Sequence, residues 1–137
     1  MTRCLNASGD SDISIDDWAQ SNSAPQVSHV IGRSGDRLLF VRLVDVDWIE
    51  AAGNYVRVHA RGDSLLLRAS MTKVQRRLDP SAFVRIHRSA IVNIGRIKEL
   101  IPRSHGEYIV TLQDGTRLQA SRGYSHRLTE LIESCVL

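Results

Sequence analysis

The chain has 137 residues, 42% of them hydrophobic, which suffices for one ordinary domain built around one core. It carries a formal charge of +3 and two cysteines, and no apolar run approaches the roughly 18–20 residues of a membrane-spanning helix. Those features exclude a membrane span, a disulfide framework and a structural zinc site from the expectations.

Residues 1–28 are rich in Ser, Asp and Asn and set Arg3 against Asp10, Asp12, Asp16 and Asp17, so the positive excess belongs to the remainder of the chain. They are expected to form a flexible acidic tail, with a short helix over Ile13 to Gln20 behind Ser14, and residues 29–137 to form the folded domain. The amino terminus has no basic start followed by an apolar block, so it does not resemble a secretion signal, and a cytoplasmic location is expected. Cys4 and Cys135 stand at opposite ends and are expected to be free thiols.

From Val27 onward the pattern is that of strands. VSHVIG and RLLFVR flank a Gly-containing turn and predict a hairpin; VDVDWIE follows, and AAGN interrupts it. In YVRVHA the side chains of Val56 and Val58 face one way and those of Arg57 and His59 the other, and LLLRAS returns as the partner strand. A helix is expected from a Ser70 cap, with Met71, Val74 and Leu78 on one face and Asp79-Pro80 as its stop. FVRIH reads as a strand with Val84 and Ile86 on one face, RSAIVNIGR as a compact segment with a helical turn, and IKELI as a strand ending at Pro102. EYIVTLQ and TRLQAS form a last hairpin around Asp114-Gly115. Tyr124, Leu128, Leu131 and Ile132 then mark one stripe of a terminal amphipathic helix capped by Ser121. Trp48, Phe83 and Phe40 are expected in the core. The fold class is mainly β: small antiparallel sheets with a short internal helix and a C-terminal amphipathic helix.

The five histidines, at positions 29, 59, 87, 105 and 126, show no metal-ligand spacing, and no nucleophile elbow, Walker loop or dinucleotide fingerprint is present. Neither a catalytic site, a cofactor site nor a metal site is expected. Asp45 and Asp47 share a strand face and fit either a cation or, more simply, a solvated strand edge. All basic residues beyond the tail are arginines except Lys73 and Lys98, and the guanidinium fork suits phosphates and the guanine edge. A strand that carries Arg85 and His87 on its polar face and turns abruptly into Arg88-Ser89 gathers long donors in one place, as a groove-reading element requires; arginines on an exposed strand can equally serve solubility. Asn93 fits a role in its own turn.

The string FVRIHRSAIVNIGRIKEL, Phe83 to Leu100, resembles the most distinctive motif of the LytTR-type DNA-binding domain of the LytR/AlgR regulators, matching at Phe83, Arg85, His87, Arg88, Ser89, Val92, Asn93 and Ile97. Ile49-Glu50-Ala51-Ala52-Gly53-Asn54-Tyr55 is similar to the family's hairpin block, and Ser121-Arg122-Gly123-Tyr124 to its Ser-Arg-Arg-Tyr element, with Gly123 departing from the usual arginine or polar residue. The resemblance implies an elongated stack of small sheets that lays loops from one side into successive major grooves of double-stranded DNA. It implies contacts from Asn54 and Tyr55, from Arg88 and Ser89, and from Arg122 and the Gly123 backbone, to which Arg57, Arg85 and His87 are added as polar neighbours, with His87 fitting better an internal hydrogen-bonding partner that holds the loop.

The family commonly carries a receiver or membrane spans, and 28 polar residues hold neither, so the expectation is a stand-alone transcriptional regulator. Two copies on adjacent promoter repeats are expected, as is control by abundance, by the tail or by a regulatory protein partner. A module docking an acidic protein, or a non-specific nucleic-acid binder, fits the same basic loops.

Overall fold

Alternating strands that bury one face need a partner layer, and the computed structural model, which describes residues 28–134, supplies two. One sheet has seven antiparallel strands in the order β2-β1-β5-β4-β3-β7-β6, and the other three in the order β10-β9-β8. The strands are β1 (His29–Ser34), β2 (Arg37–Arg42), β3 (Val46–Ala52), β4 (Tyr55–Ala60), β5 (Asp63–Leu67), β6 (Phe83–His87), β7 (Ala90–Asn93), β8 (Ile97–Pro102), β9 (Tyr108–Leu112) and β10 (Arg117–Ala120). Helix α1 is Met71–Arg77 and helix α2 is His126–Ser134. No helix among the described residues is long and apolar enough to cross a membrane. The helix expected over Ile13 to Gln20, and both cysteines, lie outside the described residues.

Two cores result, one on each face of the β6–β7 hairpin. Phe83 and Ile91 join the first, with Ile49, Val56, Val58, Leu65, Leu67 and the α1 residues Met71, Val74 and Leu78. Val84, Ile86, Ala90 and Val92 point the other way and meet Val110, Leu112, Ala120 and Leu128. Burial of this kind stabilises by about 1.5–3 kcal/mol for each large side chain taken fully from water.

The expected Ser70 cap is observed: its hydroxyl accepts from the Lys73 N–H at 3.2 Å. RSAIVNIGR, expected as a helical turn, is instead mostly strand. All four residues of β7 are buried between the two cores, so each backbone group there needs a ladder partner, and only Ile94–Arg96 coils into a 3-10 turn. The terminal helix begins later than expected: Arg122–Tyr124 forms a separate 3-10 turn, and Ser121 makes no side-chain capping bond. Along α2, Leu128 is fully buried, Leu131 packs on the second core and Ile132 remains exposed. Phe40 was expected in the core but is 51% exposed, because β2 is the outermost strand and nothing covers that face among the described residues. Asp47 is not a solvated edge residue: it is buried and faces Arg96 Nε at 3.4 Å.

Gly32 allows β1 to approach β5. A Cβ there would overlap the Leu65 side chain and lie 2.6 Å from the Leu66 carbonyl oxygen. Gly32→Val should therefore destabilise the domain by at least about 1–3 kcal/mol, measured by urea unfolding. Two aspartates brace turns. The Thr116 N–H bonded to Asp114, and the Ser81 N–H and hydroxyl bonded to Asp79, hold both carboxyls below the ordinary 3.8. Their folded values are depressed, so their stabilising effect is complete above the unfolded value and is lost as pH falls through the lowered one. The double variant Asp79→Asn/Asp114→Asn should lose less thermal stability than the parent on acidification from about pH 5 to about pH 3.

Candidate nucleic-acid interface

Strand direction determines which turns share an end of the molecule. The Ala51 N–H donates to the Ser89 carbonyl at 3.0 Å, which sets the β3–β4 turn, Gly53-Asn54, beside the β6–β7 turn, Arg88-Ser89. The Ser121 N–H donates to the Ile86 carbonyl at 2.9 Å, bringing the 121–125 connection to the same end of β6. Tyr108 pairs with both Ala120 and Pro102, so the β8–β9 connection joins the row, and the Ser125 hydroxyl fastens it by donating to the Gly106 carbonyl at 2.7 Å. Asn54, Arg88, Ser89 and Arg122 thus occupy neighbouring connections at one end, and Asn54, Arg88 and Arg122 are exposed.

Local chemistry shapes each tip. Gly53 has φ +67 and Asn54 does not share the left-handed conformation, the pattern of a tight hairpin turn with glycine first. The next residue, Tyr55, is 38% exposed beside the tip. The Arg88-Ser89 turn has no positive φ at either residue, so it lacks the primed geometry that twisted hairpins favour. His87 makes up the difference: its Nδ1 lies 2.9 Å from the Ser89 hydroxyl and accepts from the Ser89 N–H at 3.2 Å.

Arg85 holds the same turn from behind. Its Nη2 donates to the Arg88 carbonyl at 2.6 Å, its Nε to the His87 carbonyl at 3.3 Å and its Nη1 to Gln75 Oε1 at 3.1 Å, while its guanidinium carbon sits 5.2 Å from the Tyr124 ring centroid. Arg85 and His87, both half-buried, are therefore committed to the turn itself, and half-buried Arg57 lies on the body of β4 opposite Glu50, away from the tips. Gly123 offers only backbone, as expected. Asn93 ties its own turn and more: its Oδ1 accepts from the Gly95 N–H at 2.9 Å and its Nδ2 donates to the Val46 carbonyl at 2.7 Å.

Charge divides along the strand axis. Five of the six aspartates of the described residues, at positions 45, 47, 63, 79 and 114, lie at the other end. There Arg42, Arg61 and Arg96 pair with Asp45 at 3.5, 3.7 and 4.0 Å, so the positive charge is locally neutralised. Arg88, Arg103 and Arg122 form no ion pair among the described residues; Glu107, at the end of the β8–β9 connection, accepts from the Gln119 side chain at 3.3 Å. Arg103 and His105, in the β8–β9 connection, were not anticipated from sequence, although Pro102 followed by Arg-Ser-His-Gly marks a turn. No group of three or more His, Cys, Asp or Glu side chains able to hold a metal occurs among the described residues.

The model of the LytTr DNA-binding domain matches residues 36–133. The chain belongs to the LytTR family. This family is defined by DNA binding and is not a class of enzymes. Among solved structures, a LytTr DNA-binding domain from Bacillus cereus superposes with a TM-score of 0.73 at 26% identity, covering 77% of this chain and 97% of that one. The LytTR chain is also similar to the sensory transduction protein LytT of Bacillus subtilis, 28% identical over 98 residues, covering 72% of this chain and 41% of that protein. It is 34% identical over 76 residues to the CO-responsive transcriptional regulator RcoM of Rhodospirillum rubrum, covering 56% of this chain and 32% of that protein. It is 28% identical over 105 residues to the transcriptional regulatory protein YpdB of Escherichia coli K12, covering 71% of this chain and 43% of that protein. The chain spans less than half the length of these relatives.

If Arg85 braces the turn, a lysine cannot replace it, because one ammonium cannot hold two carbonyls, an amide and a ring together. Arg85→Lys should raise hydrogen exchange at the Ser89 and Ala51 amides about ten-fold or more while leaving global unfolding little changed.

Proposed function

We propose that this LytTR domain is a sequence-specific reader of double-stranded DNA and acts in transcriptional regulation, as the names of its relatives suggest for them. The observation that carries the reading is the row of connections at one end, presenting Arg88 and Arg122 without carboxylate partners, while five of the six described aspartates collect at the other end. Arg88, on a two-residue turn, is the principal base reader, because a guanidinium can donate two hydrogen bonds to the O6 and N7 of guanine. Asn54 offers an amide suited to adenine. Ser89, Arg122, Arg103 and the Gly123 backbone supply contacts to phosphate and sugar, with Tyr55 beside them. Arg85 and His87 position the Arg88 turn and touch no base. Two copies bind adjacent repeats, since one domain of this size covers a modest length of duplex.

Selection of bound sequences from a random DNA pool by the purified chain tests the reading directly and should return a defined motif. On that motif Arg88→Ala should weaken binding by about 1–3 kcal/mol and relax selectivity at one base step, with little change on random DNA. Equal losses on both would reduce Arg88 to a phosphate contact. Failure to enrich any motif would overturn sequence-specific reading altogether.

A further inference from the structure

A cavity of about 620 Å³ lies between α1 and the segment around Gly123 to Arg127, beside the edge strand β6. Its floor is apolar: Leu78, Phe83, Val84 and Ile91 line it, and each is buried. Basic side chains stand on both sides of its rim. On one side Arg127 donates to the Pro80 carbonyl at 2.7 Å and pairs with Glu130 at 3.3 Å, and His126 meets the same carboxylate at 2.9 Å, so that side is neutralised. On the other side Arg76 is exposed and forms no ion pair among the described residues. Arg85 beside it faces only uncharged acceptors, the Gln75 amide and two carbonyls.

The volume falls within the roughly 300–1,000 Å³ of small-molecule sites. The floor favours a hydrocarbon body, and two guanidiniums without a carboxylate favour an anion. A neutral lipid leaves the guanidiniums unused, and inorganic phosphate leaves the floor unused. We propose that this cavity binds a small amphiphilic carboxylate, with its hydrocarbon body against Phe83 and Leu78 and its carboxylate on Arg76 and Arg85, and that occupancy resets the Arg88-Ser89 turn.

The coupling follows from a competition for one donor group. Arg85 braces the turn through the Arg88 carbonyl, a neutral acceptor, whereas hydrogen bonds to a carboxylate are about twice as strong. A bound carboxylate therefore draws Arg85 toward the cavity and frees the turn. Ligand and operator then oppose each other, and linkage requires each to weaken the other by the same factor. This last step rests on Arg88 being a base reader; the cavity itself does not.

The test is an amide NMR titration of the whole chain with octanoate, with 1-octanol as the neutral probe of equal length and inorganic phosphate as the probe of charge alone. Saturable octanoate shifts are expected at Gln75 and Tyr124 and at the Ser89 amide of the turn. Octanol and phosphate should bind about ten-fold more weakly or worse, and Arg76→Gln should weaken octanoate about ten-fold, the loss of one hydrogen bond to a charged group. Saturating octanoate should then raise the operator Kd in the parent, and operator DNA should raise the octanoate Kd by the same factor. Absence of saturable shifts at Gln75 and Tyr124, or equal binding of octanol, overturns the site. Octanoate binding with the Ser89 amide unmoved overturns the coupling. A moved Ser89 amide with unchanged operator affinity upholds both and instead overturns the assignment of Arg88 as base reader.

Discussion

The candidate interface depends on a short hairpin that is apolar on both faces. Because β6 and β7 send Phe83 and Ile91 into one core and Val84, Ile86, Ala90 and Val92 into the other, the hairpin cannot shift by one residue without exchanging the two sets. Such a shift would carry Arg85 into an apolar layer. The double burial therefore fixes the register of the Arg88 turn more firmly than a one-sided strand could, and it fastens the three-stranded sheet to the larger one.

Against that frame, the polar residues of the motif divide into those that make the tip and those that hold it. Arg85, His87 and Asn93 all lie in the block that resembles the family, yet each is committed to carbonyls, a hydroxyl or an amide of this chain. A tip held by Arg85 and His87, both on β6, keeps its shape before any ligand arrives, which reduces the ordering cost of recognition. The same brace, Arg85, also lines a cavity, which is what the proposed ligand control of the tip rests on.

Much of this was legible in the chain itself. Strands that bury one face announce themselves by alternation, and Val56, Val58, Val84 and Ile86 all point as their pattern predicts. The Ser70 cap was equally plain. The β7 strand was not, because Ala90–Asn93 is buried on both faces and so carries no alternation to detect. Phe40 misled for a different reason: alternation tells which face a residue occupies but not whether a second layer covers it. At the site, Asn54, Arg88 and Arg122 could be placed in turns from sequence, while the bracing role of Arg85 could not, since it depends on Gln75 and Tyr124, which only the tertiary fold brings near.

The separation of aspartates from the ends of β3, β6 and β10 gives the molecule a direction as well as a net charge. In the field of a polyanion such a body experiences a torque: its charge-compensated pole is turned outward before contact, so a larger share of collisions arrives with the working end foremost. The gain is in the rate of productive encounter, and it fades as added salt shortens the range over which the torque acts.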